Sequence, residues 1–179
     1  RDLVRSRGLG DVYKRQDPYY LVHKAKELQY HTKMINSGRY VNDSMGRYIG
    51  KKVVKKIISQ GKNILGAHVL VMGMTFKENV SDIRNSKVAD IINEFKDFGA
   101  EVDVMDPFAS PLEVLQEYGI RLVERPGKKY DAVVVAVAHT TYLKLDESYF
   151  MSITNEHAVL ADVKGVYRGS IHQMIYWSL

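Results

Sequence analysis

Apolar positions follow two regimes along the chain. Between Asp17 and Gln60 they recur at helical spacing, and from Ile64 onward short apolar runs alternate with amphipathic stretches. Asp17 suits an N-cap and Pro18 a first helical residue, and Leu21, Ala25 and Leu28 share one face behind them. This predicts a helix ending near Tyr30 or His31. Gly38 interrupts the pattern, so a second, longer helix is expected from Asn42 or Asp43 to about Ser59. Its stripe is Met45, Ile49, Val53 and Ile57, widened by Val54 and Ile58, and Gly61 ends it. Two helices of this size cannot enclose a core alone, so the stripe requires a partner.

Beyond Ile64 the pattern predicts strands at Val69–Met72, Glu101–Met105, Arg121–Val123, Ala132–Ala138 and Ala158–Ala161. Helices fall between them. One carries Val88, Ile91, Ile92, Phe95 and Phe98 and stops at Gly99. Another opens with Ser110-Pro111 and closes at Tyr118 and Gly119, and a short turn covers Asp146–Ile153. The run AVVVAVA from Ala132 to Ala138 is uninterruptedly apolar, as a parallel strand covered on both faces would be. The order β-α-β-α-β-β-α-β gives an α/β fold. It is an open, mostly parallel, Rossmann-like sheet with helices on both faces, preceded by a two-helix segment. The expected organisation is a leader over 1–16, a helical segment over 17–62 and an α/β domain over 63–179.

Charge sharpens this division. The overall +5 splits into +3 for residues 1–16, +6 for 17–60 and −4 for 61–179. The basic pI is thus no property of the α/β portion, which argues against nucleic acid as its partner. Lys51, Lys52, Lys55 and Lys56 on the second helix read as a solvated face. Residues 1–16, rich in Arg and Gly and without period, read as a disordered or foreign leader. The chain contains no cysteine, which excludes a disulfide framework, a zinc-thiolate site and a thiol nucleophile. No apolar run reaches a membrane span, so no membrane partner and a cytoplasmic location are expected. His139 follows the apolar strand, but no second His or carboxylate offers metal-ligand spacing beside it, and no metal is expected.

The chemistry concentrates in the loop leaving the first strand, where open α/β sheets bind ligands. Gly73 is followed by Lys77, Asp82 and Arg84 before the next helix opens. Two cations there suit a phosphate-bearing ligand. A solvated ion-paired loop accounts for the same residues. The run GMTFKENVSDIRNS, Gly73 to Ser86, resembles the signature G-x-x-F-K-x-x-x-x-D-x-R-x-S of nucleotide-sugar 6-dehydrogenases. Asp17-Pro18-Tyr19-Tyr20 resembles the tail of that family's catalytic motif in its UDP-N-acetylhexosamine branch. The likeness covers Asp17 to about Arg168.

The resemblance implies NAD-dependent oxidation of C6 of a UDP-sugar to a uronate, feeding polysaccharide synthesis. That reaction takes two hydride transfers around a thioester on a catalytic cysteine. Asp17 takes the catalytic Asp position. The cysteine position, four residues earlier, holds Tyr13. Phe76, Lys77 and Lys164 fall where the family contacts the UDP-sugar, and Arg84 where it reaches NAD. The 17–62 helices correspond to the family's homodimer region. On this reading the chain is a C-terminal portion that binds UDP without turnover, with NAD held mainly by a domain outside it. A stand-alone nucleotide-binding module and a nucleic-acid-binding domain using the lysine helix are the alternatives.

Overall fold

A computed structural model describes residues 20–179, which fall into two compact units divided between Ser44 and Met45. The first unit contains α1 (residues 20–27) and the opening of α2 (Lys33–Ser59). Asp17, Pro18 and Tyr19 lie outside the described residues, as does the 1–16 leader. The second helix differs from expectation: it begins at Lys33 and runs through Gly38. Nothing lies within 4 Å of a side chain at Gly38, so its cost is only the propensity penalty, about 1 kcal/mol. One such penalty does not break a helix of 27 residues.

The second unit is built on five parallel strands: β1 (His68–Met72), β2 (Glu101–Met105), β3 (Tyr130–Val135), β4 (Thr154–Asp162) and β5 (Ile175–Ser178). Their spatial order is β2-β1-β3-β4-β5. The expected strand at Arg121–Val123 is reduced to one parallel bridge, Leu122 beside Val104. Counting that bridge, the order is 3-2-1-4-5-6, that of a Rossmann sheet. The chain reverses direction across the sheet between β1 and β3, so a crevice is expected at their carboxyl ends.

Alternation along the strands assigns the two faces. Val69, Val71, Ala132, Val134 and Val159 point to one side, where Ile49, Val53 and Ile57 of α2 and Ile92 and Phe95 of α3 (Val88–Asp97) cover them. The apolar stripe of α2 thus finds its partner in the sheet. Leu70, Met72, Val133, Val135 and Leu160 face the other side, under Tyr142, Tyr167 and Phe150 of α5 (Glu147–Ile153). On the first face α2 and α3 approach closely. A Cβ at Gly46 would lie 2.6 Å from Asp90 Cβ, and one at Gly50 2.8 Å from Glu94 Cβ. Two glycines four residues apart give the contact its shape.

α4 (Pro111–Tyr118) follows β2 with the expected bounds, capped by Ser110 and closed by Gly119 in the left-handed region. β3 starts two residues before the apolar run and stops at Val135. The amides of Ala136 and Val137 still donate to the Met72 carbonyl, but the chain is already turning away from the sheet there. β4 is longer than expected, and its first residues are polar. β5 was not anticipated; Trp177 packs on one face of the sheet and Tyr176 on the other.

Candidate functional site

The carboxyl ends of β1, β3 and β4 lie side by side, so the loops that follow them form one edge. The loop after β1 starts at Gly73, whose φ is +96°. A Cβ there would sit 2.5 Å from Val137 Cβ, so only glycine lets the β1 and β3 loops leave the sheet together.

Three anchors fix this loop. The first is Asp106, at the end of β2. Its Oδ2 accepts from the amides of Met74 (2.6 Å) and Thr75 (2.9 Å), and its Oδ1 from those of Phe108 (2.8 Å) and Ala109 (3.0 Å). The second is His139, whose side chain is wholly buried like that of Asp106; its Nε2 lies 3.1 Å from Asp106 Oδ2. Its Nδ1 accepts from the Asn79 amide at 3.0 Å. Burial pushes the Asp106 carboxyl upward, but the bonds from His139 and the amides of Met74, Phe108 and Thr75 outweigh it. The group is held well below the usual carboxylate range. The third anchor is Tyr118, the last residue of α4. Its hydroxyl donates to the Ile83 carbonyl at 2.6 Å and accepts from the Ser86 amide at 3.3 Å.

The cationic residues stand between these anchors. Lys77 is exposed, with Nζ 5.6 Å from the centre of the Phe76 ring. Lys164, in the turn after β4, places Nζ 3.2 Å from Glu78 Oε1. Glu78 is held below its ordinary value by its own backbone amide, against burial, with Lys164 assisting. The Glu78–Lys164 pair therefore joins the loop that carries Phe76 and Lys77 to the turn after β4, across the end of β3. The Lys164 turn is itself built by Asp162. This fully buried side chain accepts from the amides of Gly165 (2.9 Å) and Tyr167 (2.8 Å) and from the Tyr176 hydroxyl (2.8 Å).

Arg84 lies apart from this group, on the α4 side of the loop. Asp82 takes its Nε and Nη2 in a fork, both at 3.0 Å, and this pairing holds the guanidinium above its ordinary value. Ser81 to Arg84 line a groove of about 440 Å³ with Glu113, Gln116 and Glu117. Asp17 is outside the described residues. Sequence reasoning missed Asp106, Asn79 and Tyr118 as the residues that hold the loop. A carboxylate at a strand end directly before Pro107 was the available signal for the first.

No group of three or more His, Cys, Asp or Glu side chains among the described residues has metal-binding proximity. No described helix is long and apolar enough to cross a membrane. This sheet does not fit a whole NAD molecule. Dinucleotide cradles carry several glycines and a helix N-terminus directly after the first strand. Here Gly73 is the single glycine between Ala67 and Phe98, and the helix opens only at Val88.

Comparison with known proteins agrees with this geometry. Residues 70–169 match the UDP-glucose/GDP-mannose dehydrogenase family, UDP binding domain. A UDP-N-acetyl-D-glucosamine 6-dehydrogenase of Pseudomonas aeruginosa is 41% identical over 149 residues, 83% of this chain and 35% of its own. Its counterpart in Salmonella typhi is 39% identical over 151 residues, 84% of this chain and 36% of its own. The chain thus spans about a third of the length of these curated relatives. Among solved structures, an NDP-N-acetyl-D-galactosaminuronic acid dehydrogenase from Methanosarcina mazei shares the fold. It superimposes with a TM-score of 0.77 at 21% identity, covering 90% of this chain and 36% of its own. With its match to the family's UDP binding domain over more than half its length, the chain belongs to the UDP-glucose/GDP-mannose dehydrogenase family.

Proposed function

We propose that residues 63–179 bind the uridine diphosphate portion of a UDP-N-acetylhexosamine. The protein to which they belong oxidises C6 of that sugar to a uronate with NAD, in the cytoplasm. The observation that carries this reading is the Glu78–Lys164 pair, which ties the loop carrying Phe76 and Lys77 to the Lys164 turn at the carboxyl edge of the sheet. Lys77 beside the Phe76 ring, with Lys164 on the facing turn, offers a pyrophosphate charge and its nucleoside an aromatic platform. The names of the Pseudomonas aeruginosa and Salmonella typhi relatives favour N-acetylglucosamine as the sugar. Arg84, on the α4 side of the loop, would serve the NAD side of the site, and NAD is held mainly by residues outside this chain. Asp17 stands at the catalytic Asp position. With no cysteine in the sequence it has no thiol to assist, so this chain binds without turning over. The 17–62 helices pair two copies.

Calorimetric titration tests the binding claim. UDP should bind the 179-residue chain, UMP more weakly, and Lys77→Ala and Lys164→Ala should each weaken UDP by about tenfold, one charge-assisted contact apiece. Absence of UDP binding, together with salt-sensitive affinity for an oligonucleotide, would transfer the function to the lysine helix. NADH production on restoring a cysteine-containing upstream sequence separates the dehydrogenase reading from a stand-alone nucleotide module.

A further inference from the structure

The loop after β1 carries Lys77, but the shape of Phe76–Glu78 is set elsewhere. Thr75 at one end of the span is tied to Asp106, and Asn79 at the other is tied to His139. Within it the Lys77 carbonyl accepts from the Thr75 hydroxyl at 3.0 Å, and the Phe76 amide donates to the Asp82 carbonyl at 2.7 Å. Asn79 sits at φ +59°, a conformation that costs a non-glycine residue about 1 kcal/mol. It is held from two sides. Its amide meets His139, and its Oδ1 accepts from the Thr140 amide (2.9 Å) and hydroxyl (3.0 Å).

The hydrogen bonds leave one arrangement for the imidazole. An ionised Asp106 can only accept. The single hydroxyl hydrogen of Thr75 is committed to Lys77, so Thr75 also accepts from Nε2, at 3.2 Å. Nε2 therefore carries the hydrogen, and Nδ1 is the bare nitrogen that receives the Asn79 amide. The ring is held between Phe108, at a centroid distance of 4.8 Å, and Tyr142, at 5.4 Å. With no exposed surface, it has no water to replace a lost partner.

We propose that His139 is a positioning residue for nucleotide binding: its Nδ1 holds the Asn79 backbone and thereby fixes the Phe76–Glu78 span before ligand arrives. This rests on the nucleotide reading above and adds the residue that pre-organises the site. A span fixed in advance does not lose its freedom on binding, so the latch acts on affinity rather than by touching the ligand.

Three side chains at this position separate the two bonds. His139→Asn keeps an acceptor at the Nδ1 position, His139→Gln keeps a donor at the Nε2 position, and His139→Phe keeps neither. Amide exchange of the unliganded chain and UDP titration are read together. Loss of one buried bond predicts that Asn79 exchanges about tenfold faster in His139→Phe and that UDP affinity falls by about tenfold. His139→Asn should restore both, and His139→Gln neither. The imidazole ¹⁵N spectrum of the wild type should show a protonated Nε2 and a bare Nδ1. A protonated Nδ1 would overturn the proposal without any variant having to fold. Equal UDP affinity and equal Asn79 exchange in wild type and His139→Phe would overturn the latch alone. A wild-type chain that ignores UDP would overturn the nucleotide reading, and with it the purpose assigned to the latch.

Discussion

A methyl group at Gly73 would meet Val137 Cβ at 2.5 Å and Val137 N at 2.9 Å, on a backbone at φ +96°. Both the clash and the conformation oppose it, so Gly73→Ala should cost about 2–4 kcal/mol in a denaturant titration. Asp106 has a different signature. Its folded carboxyl ionises below the ordinary value of 3.8, since bonds from His139 and backbone amides overcome the upward push of burial. The unfolded chain therefore binds that proton more readily. The stability Asp106 contributes is complete above the ordinary value and is lost as pH falls through it toward the folded value. Asp106→Asn should cost about 2–4 kcal/mol at neutral pH and flatten the acid limb of a stability–pH curve. An acid limb as steep as wild type would assign that limb to other carboxylates.

At the scale of elements, α2 offers the same substitution in two settings. At Gly38 a new Cβ meets nothing within 4 Å, so Gly38→Ala should stabilise the helix by about 0.5–1 kcal/mol. At Gly46 the new Cβ would lie 2.6 Å from Asp90 Cβ and 2.9 Å from the Lys87 carbonyl oxygen. Overpacking of about 1–3 kcal/mol then exceeds the propensity gain, and Gly46→Ala should destabilise. Thermal unfolding followed by circular dichroism reads both signs. The edge strand β5 depends on Glu147 at the start of α5, whose Oε1 accepts from the amides of His172 (2.8 Å), Gln173 (2.6 Å) and Met174 (3.0 Å). Burial raises this carboxyl, but the three amides prevail and hold it below its ordinary value of 4.5. Protection of these amides should be complete above that value and decline as pH drops through the folded one. Glu147→Ala should lose the protection at neutral pH, as amide exchange will show.

For the whole molecule, the decisive surface is the one that the first helices leave uncovered. Leu21, Met34 and Tyr40 are 56%, 89% and 76% exposed, an apolar character unusual for helices that face only water. If this region pairs two copies, sedimentation should show a mass that rises with concentration, and Met34→Lys with Tyr40→Lys should abolish the rise. A wild-type chain that stays monomeric at high concentration would remove the pairing from the proposal.

Much of this was legible in the chain itself. β2 and α4 matched residue for residue, because Gly99, Asp106, Ser110-Pro111 and Gly119 are local signals that act within a turn of where they stand. The parallel sheet was legible in the uninterrupted apolar run of β3, and the loop leaving β1 in Gly73 and the polar residues behind it. Other features had no local signal. The sequence did not show that Gly38 would be carried through a helix, that Gly46 and Gly50 would admit α3, or that β5 would join the sheet. It showed His139 as an isolated residue at an edge. Only the tertiary structure brought Asp106, Asn79 and His139, from three separate loops, around one buried imidazole. Periodicity and capping act between neighbours in sequence and can be read there, whereas a buried polar network depends on which distant atoms burial forces to satisfy one another.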